Sequence, residues 1–137
     1  MDIKLGINKY GLFIQYLVKI NRKNEQKKVK EKVYNSTQYS ISIPIQLINF
    51  IDTDVVFMKQ HSKNKYSLLL REDGDSKPLK IRTLTSKAKT DPKKYTRYLL
   101  TLPKKFFGFL DYEFVDDMVM NIFVYVKDGD VHIDLSL

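Results

Sequence analysis

The chain has 137 residues, a formal net charge of +8, 43% hydrophobic residues and no cysteine. This composition is typical of one globular domain, and it excludes a disordered chain, a disulfide scaffold and thiolate chemistry. No stretch approaches the roughly eighteen apolar residues of a membrane-spanning helix, so we expect no membrane partner. The expected location is cytoplasmic, or the interior of the host cell if the chain is viral.

The charge is distributed unevenly along the chain. Residues 1–38 contain nine basic residues against three acids, and residues 73–97 contain eight against three. Residues 98–137 contain three lysines against seven acids. This asymmetry predicts an anionic partner at one surface, and a lysine-rich solvated exterior is the alternative.

Residues 1–27 are interpreted as an N-terminal extension. A turn at Asn8–Gly11 separates two apolar runs, which predicts a β-hairpin, and a polar turn at Asn21–Lys28 follows. The second run is apolar on nearly all sides, so a buried helix from Tyr10 to Ile20 is the alternative. The hairpin either extends the sheet of the main domain or serves dimerisation or partner binding.

Residues 28–137 are predicted to form a single domain built of two repeats, residues 28–72 and residues 79–137. The repeats are anchored by Tyr39–Asp52 and Tyr98–Asp111, which align without a gap at a spacing of 59 positions. An internal repeat takes precedence over other sequence patterns when a fold is predicted. Four aligned pairs are identical: Tyr39 with Tyr98, Pro44 with Pro103, Phe50 with Phe109, and Asp52 with Asp111.

Each repeat has a strand that leads into a short helix. Ile41–Ile43 and Leu100–Leu102 alternate apolar and small polar residues, which is typical of a half-buried strand. The proline that follows suits the first turn of a helix, where its missing N–H needs no partner. Apolar residues then recur at helical spacing, as at Leu47, Ile48 and Ile51.

Further strands flank each strand–helix unit. Val29–Val33 and Leu79–Leu84 alternate in character and are predicted as the strands that precede the two units. A β-hairpin follows each unit, and the second one turns at Lys127–Asp130, where Asp-Gly joins two alternating apolar runs. The predicted fold class is therefore mainly β (α+β), with two β-β-short α-β-β repeats.

This order of elements resembles the AbrB/MazE/SpoVT swapped-hairpin domain. A basic strand, a strand ending in Ile43-Pro44 or Leu102-Pro103, a short helix, an Asp and a valine-rich hairpin carry the resemblance. The resemblance implies a swapped-hairpin-like pseudo-dimeric barrel, in which the two repeats of one chain interlock their hairpins. It also implies non-enzymatic DNA binding by a transcriptional regulator, an antitoxin or an architectural factor. The Gly-Asp that the family usually has after the helix is absent here.

In the resembled family, the first strand of the repeat and the loop after it contact DNA. Thr85–Arg97 is predicted as a long loop of this kind, because Lys, Ser and Thr suit phosphate contact and Tyr95 suits stacking on a base. A mobile solvated connector is the alternative. The resemblance implies these nucleic-acid-binding residues: Lys80, Arg82, Lys87, Lys89, Lys93, Lys94, Arg97, Lys28, Lys30 and Lys32.

The basic residues of two strands are predicted to share faces. Alternation within Lys28–Val33 places its lysines on one face, and Lys80 and Arg82 share a face opposite Leu79 and Ile81. The chain has 20 lysines and 4 arginines. Lysine binds phosphate as a point charge, whereas arginine reads guanine bidentately, so the binding should depend strongly on salt and weakly on sequence.

The residues do not predict an enzyme. His61 and His132 are the only histidines, and the sequence has no phosphate-binding loop, nucleophile elbow or zinc-protease motif. Four acids after the second helix suit a divalent metal, with solvated turn acids as the alternative. They are Asp111, Glu113, Asp116 and Asp117. We therefore expect no catalytic residue, no metal site and no cofactor.

DNA is the expected partner of the chain. The first alternative is a protein–protein interaction module, antitoxin-like or structural, whose partner is another protein or a second copy of the chain. RNA binding is the next alternative. The salt dependence separates these classes, because binding through lysine weakens with salt and an apolar protein interface does not.

Overall fold

The computed structural model describes residues 2–87 and 94–137. Within these ranges the chain is mainly β, as predicted, and its helices are short. The elements in chain order are β1 (Asp2–Asn8), β2 (Gly11–Val29), β3 (Lys32–Ile43), α1 (Ile45–Ile48), β4 (Val55–Ser62), β5 (Lys65–Leu69), β6 (Lys77–Lys87), β7 (Lys94–Thr101), α2 (Lys104–Phe107), α3 (Leu110–Glu113), β8 (Val119–Lys127) and β9 (Asp130–Ser136).

Eight of these strands close into an antiparallel barrel. The order around the barrel is β2-β3-β7-β6-β4-β5-β9-β8, and β8 pairs with β2 to complete the ring. Strand β1 lies outside the ring and pairs with β2. The predicted N-terminal hairpin is present as β1–β2, but only β1 extends the barrel sheet, because β2 is itself a strand of the ring. The helix considered for Tyr10–Ile20 is wrong because this segment is strand.

Alternate residues of each strand point into the barrel, and the inward-pointing residues are apolar. Ile20, Ile41, Leu100 and Ile81 form one row across β2, β3, β7 and β6. Each of these four side chains is at most 6% exposed. Residues that precede or follow them along a strand therefore point outward.

The short helices complete the core after β3 and β7. The carbonyl oxygen of Pro44 accepts hydrogen bonds from the N–H groups of Leu47 and Ile48, at 2.9 and 3.2 Å. Pro103 begins α2 in the same way, as predicted, and the side chains of Leu47 and Phe107 are fully buried. Helices this short have to be held by packing. In the described part of the chain, no helix has the length and apolar character needed to span a membrane.

Strands β3 and β7 pair over four residues each, Ser40–Ile43 and Tyr98–Thr101. The hairpins β2–β3 and β6–β7 continue beyond this pairing as two-stranded arms. We call Lys23–Gln38 the first arm, and the paired strand ends 84–87 and 94–97 the second arm. Because β3 and β7 are antiparallel, the two arms extend from their pairing in opposite directions.

The turn of the first arm lies at Lys30 and Glu31, whose φ angles are 48° and 66°. The turn predicted at Asn21–Lys28 is therefore wrong, because this segment lies within β2. Lys28 pairs with Val33, while Val29 pairs with Lys32, so Lys28 and Lys32 lie on opposite faces of the arm. The predicted common face for these lysines is also wrong. A left-handed turn usually requires Gly, Asn or Asp, and this one has none.

The predicted loop Thr85–Arg97 is strand at both of its ends, since Thr85–Lys87 extends β6 and Lys94–Arg97 extends β7. The segment Tyr34–Gln38 belongs to β3. In each hairpin the two strands hydrogen-bond to each other, so polar segments satisfy their backbone groups without a third strand. The predicted turn before β9 is confirmed, since Asp128 and Gly129 join β8 to β9 with φ angles of 52° and 82°.

We expect the substitution Gly129→Ala to destabilise the protein by about 1 kcal/mol, because a Cβ disfavours the left-handed backbone at this position. Urea unfolding followed by circular dichroism measures the change. Gly74→Ala is the matched control, since Gly74 also lies in open space but has no positive φ. Equal effects of the two substitutions would show that the turn conformation does not limit stability.

Candidate nucleic-acid interface

The outer face of strands β2, β3, β7 and β6 is the side that points away from the barrel interior. This face carries polar residues, and basic residues of β6 and β7 lie beside them. Its residues flank the buried row described above and therefore point away from the barrel interior. Asn21, Ser40 and Thr101 form one outward row, in which each residue pairs with the next across neighbouring strands. Hydroxyl groups of this kind donate hydrogen bonds to phosphate oxygens.

Lys80 and Arg82 lie on β6 at one edge of this face. Both are exposed, whereas Ile81 between them is buried and Leu79 is half-buried. The predicted common face for Lys80 and Arg82 is therefore confirmed. Arg82 pairs with Leu99 of β7, which brings its side chain next to the centre of the outer face.

Arg97 lies where the second arm leaves the barrel. Its guanidinium Nη2 donates a hydrogen bond to the Ser42 Oγ at 3.1 Å. Arg97 is exposed and points to the same side as Leu99, because the two residues are two positions apart on β7. Arg82 and Arg97 therefore both border Leu99 on the outer face.

The first arm carries five lysines and two acids over Lys23–Gln38. Lys28, Lys30 and Lys32 are all exposed and lie at or next to its turn. They are not on one face, but together they surround the tip of the arm with positive charge.

The sequence from Leu84 to Arg97, which includes the second arm, contains five basic residues and one acid. Its last described backbone pair joins Lys87 to Lys94. Lys89 and Lys93, which were predicted as binding residues, lie outside the described residues.

The predicted basic residues are thus distributed over one long surface rather than gathered in a pocket. From the tip of the first arm to the end of the described second arm, the strands span about 45 Å at the usual rise per residue. In the described part of the chain, no ion pair involves Lys28, Lys30, Lys32, Lys80, Arg82 or Arg97. Their charges are therefore available to an anionic ligand.

Three of the four acids after the second helix contact other side chains of the protein. Asp111 accepts hydrogen bonds from the Tyr39 hydroxyl and the Lys104 ammonium group, both at 3.0 Å. Glu113 pairs with Lys63 at 2.8 Å, and Asp117 pairs with Lys19 at 3.1 Å. Over residues 2–87 and 94–137, no group of three His, Asp or Glu side chains is arranged to hold a metal ion.

The two histidines lie on the opposite side of the barrel and contact other side chains. His61 lies near the end of β4, and its Nε2 is 2.6 Å from the Ser67 Oγ. The His132 ring stacks on Tyr125, with 5.3 Å between the ring centroids. The Tyr125 hydroxyl donates to Asp134 at 2.7 Å, and burial together with this carboxylate raises the pKa of Tyr125 to about 12.

Sequence reasoning missed the hydroxyl rows and the lysines of the extended β2. Ser40, Ser42 and Thr101 were treated only as parts of an alternating strand pattern. Lys23 and Lys27 were assigned to a turn, although they belong to the first arm. The turn at Asn8–Gly11 and the apolar run up to Ile20 pointed to a hairpin strand, but the polar segment after Ile20 had no apolar alternation to show that the strand continues.

No family model, no curated protein and no solved structure matches the chain. The function therefore has to be inferred from the residues and their geometry.

We expect Asp111→Asn to reduce the acid sensitivity of folding. The hydrogen bond from Lys104, and then that from Tyr39, lower the pKa of Asp111 below the ordinary 3.8. A lowered pKa stabilises the fold above the ordinary value, and this contribution is lost as the pH falls through the lower, folded value. Urea unfolding between about pH 2 and 6 should therefore show a shallower acid slope in the variant.

Asp116→Asn is the control for this prediction, because Asp116 is exposed and makes no ion pair within the described residues. The control should keep the slope of the unsubstituted protein. The same slope in all three proteins would contradict a stabilising role for the Asp111 contacts.

Proposed function

We propose that this chain is a non-enzymatic DNA-binding protein, a transcriptional regulator or architectural factor, that contacts phosphates through the outer face and the two arms. The observation that carries the proposal is the position of Lys80, Arg82 and Arg97. All three lie on one exposed surface, and none forms an ion pair within the described residues. The lysine-rich first arm continues this surface on one side.

We also propose that the barrel is a swapped-hairpin pseudo-dimer made by the two repeats. One support is the pairing of β3 with β7, which is symmetric about Ile41 and Leu100. These two residues are equivalent in the repeat alignment. On either side of them, Ser40 pairs with Thr101 and Ser42 pairs with Leu99, and the alignment converts each of these pairs into the other.

The second support is the way in which the hairpins pair. The hairpin β4–β5 follows α1 but pairs through β4 with β6, which opens the second half of the chain. The hairpin β8–β9 follows α3 and pairs through β8 with β2. Even single contacts correspond, since Val55 pairs with Lys80 and Val119 pairs with Lys19. Strands β5 and β9 then pair with each other opposite β3 and β7.

The chemistry of the surface favours phosphate contact over base reading. Lysines outnumber arginines along it, and lysine offers a flexible point charge rather than the planar pair of donors that guanine recognition uses. The surface is long and open, which suits the regularly spaced charges of a duplex. We therefore propose salt-sensitive binding with weak sequence preference.

A protein partner is the second candidate, and strand β1 favours it. The outer edge of β1 has no neighbouring strand within the described residues, and its apolar side chains are exposed. Leu5 and Ile7 are 78% and 79% exposed. An unpaired edge with apolar side chains is suited to the addition of a strand from another chain.

The DNA proposal is tested by fluorescence anisotropy with a labelled random-sequence duplex at about 50 and 200 mM salt. One variant changes Lys80, Arg82 and Arg97 to Gln, and a second changes Lys28, Lys30 and Lys32 to Gln. Each lost phosphate contact should lower the slope of log affinity against log salt by about 0.9. We expect either variant to bind at least about tenfold more weakly at the lower salt.

A charge-matched control variant changes Lys4, Lys65 and Lys105 to Gln. All three lysines are exposed, and none lies on the outer face or on an arm. This variant should keep most of the affinity and the slope. An equal loss in the control would show attraction by net charge without the proposed interface, and no binding at the lower salt would overturn DNA binding. Stronger competition by a random-sequence RNA would favour RNA as the ligand.

A further inference from the structure

We propose that a pocket beside Tyr98 binds an aromatic side chain of a partner protein that is flanked by a basic residue. The proposal rests on the two-fold equivalence of the repeats proposed above and is independent of DNA binding. The matching position in the other half of the barrel is occupied by the protein itself, which shows what kind of group fits.

In the occupied half, the ring of Phe114 packs beside Tyr39. The ring centroids are 5.5 Å apart, and the guanidinium of Arg22 lies 4.9 Å from the centroid of the Phe114 ring. The Tyr39 hydroxyl is bound to Asp111, whose charge is paired with Lys104. An aromatic ring and two cations thus surround one Tyr–Asp pair.

In the other half, Tyr98 and Asp52 border an open pocket of about 290 Å³. We call it the Tyr98 pocket. Its floor is apolar, and its acidic side is exposed to solvent. It is lined by Ile48, Ile51, Asp52, Thr53, Asp54, Ile81, Thr83 and Tyr98.

Backbone hydrogen bonds show that the two places correspond. The Ile20 N–H donates to the Met118 carbonyl at 2.8 Å, and the Ile81 N–H donates to the Asp54 carbonyl at 2.6 Å. Ile20 and Ile81 occupy the two ends of the same buried row. Across the strands next to them, Tyr39 faces Arg22 and Tyr98 faces Thr83.

The difference between the halves is the length of the segment after the short helix. Six residues separate Asp111 from Met118, and Phe114 is one of them. A single residue, Thr53, separates Asp52 from Asp54. The first half therefore lacks the residues that bring an aromatic ring back to its tyrosine, and the space is left open.

The Tyr98 pocket also lacks the cations of its counterpart. Ile45 stands at the position that aligns with Lys104, and Thr83 faces Tyr98 where Arg22 faces Tyr39. Within the described residues, neither Asp52 nor Asp54 forms an ion pair. An occupant that carries both a ring and a positive charge replaces the missing groups.

The charge of the pocket selects a protein over a nucleic acid. Two exposed carboxylates at its rim repel phosphate, so an unstacked base of a nucleic acid is a poor occupant. They attract a lysine or arginine next to the aromatic residue in a peptide. The inferred ligand is therefore a short basic–aromatic segment of a partner protein.

The test is an NMR titration of the full chain with N-acetyl-Lys-Phe-Lys-amide. We expect shift changes at the methyl groups of Ile48, Ile51 and Ile81 and at the ring of Tyr98, with a dissociation constant of about 1 mM, as befits one small anchor. The peptide with Leu in place of Phe should bind several-fold more weakly. The peptide with Glu in place of both lysines should not bind.

Two substitutions test the acidic rim. Asp52→Asn should weaken the binding about two- to fivefold, the range for an exposed ion pair. Ile45→Lys should do the same, because it places a lysine where Lys104 stands in the other half. Asp111→Asn changes the equivalent carboxylate outside the pocket and should leave the affinity unchanged.

Several results would overturn the proposal. They are the absence of shift changes at about 10 mM peptide, equal binding of the Leu peptide, and shift changes confined to other acidic residues. None of them bears on the affinity for duplex DNA, so failure here is distinguishable from failure of the proposed function.

Discussion

Strands β3 and β7 meet through four residue pairs, and the inner side of this pairing belongs to the buried row from Ile20 to Ile81. Each residue of that row packs an aliphatic side chain into the core and holds one of four adjacent strands. If the register between β3 and β7 shifted by one residue, the buried side chains of one of the two strands would turn outward, and its polar residues, such as Ser40 on β3 or Thr101 on β7, would turn inward. The same register fixes where both arms leave the barrel. The pairing of β3 with β7 therefore determines both which residues form the core and where the basic residues lie on the surface.

Some lysines of the chain form ion pairs with acids, and others have no acidic partner within the described residues. Lys19, Lys63 and Lys104 neutralise acids of the second half, so these acids leave little free negative charge beside the barrel. Lys80 on the outer face, and Lys28, Lys30 and Lys32 at the tip of the first arm, have no such partners within the described residues. A surface of uncompensated cations is costly in isolation because the charges repel, and screening by salt or by a bound polyanion relieves that cost.

Local patterns predicted the local structure well. Proline before an apolar pair indicated the short helices, Asp-Gly indicated the last hairpin, and alternation indicated the outward face of Lys80 and Arg82. The first arm was not predictable in the same way, because Lys30 and Glu31 adopt left-handed conformations that such residues rarely take. Its polar strands are stabilised by each other and not by a core. The alternating segment Val29–Val33 was predicted as one strand, and this prediction is wrong because the segment contains the turn between β2 and β3. The open pocket beside Tyr98 depends on long-range pairing, and no single segment of the sequence contains that information.

A chain that carries both halves of a two-fold arrangement can change one half without changing the other. In a dimer of identical subunits, the segment that supplies Phe114 would be present twice, and both tyrosines would be covered. Here Tyr39 is covered, with its hydroxyl bound to Asp111, while Tyr98 borders open space. The arms differ as well, since the first turns at Lys30 and Glu31 and the second carries its basic residues in a different arrangement. Under the proposed two-fold equivalence, these departures from symmetry mark the places where the halves have separate tasks. The shared row of aliphatic residues keeps the barrel closed, so divergence at the surface costs the fold little.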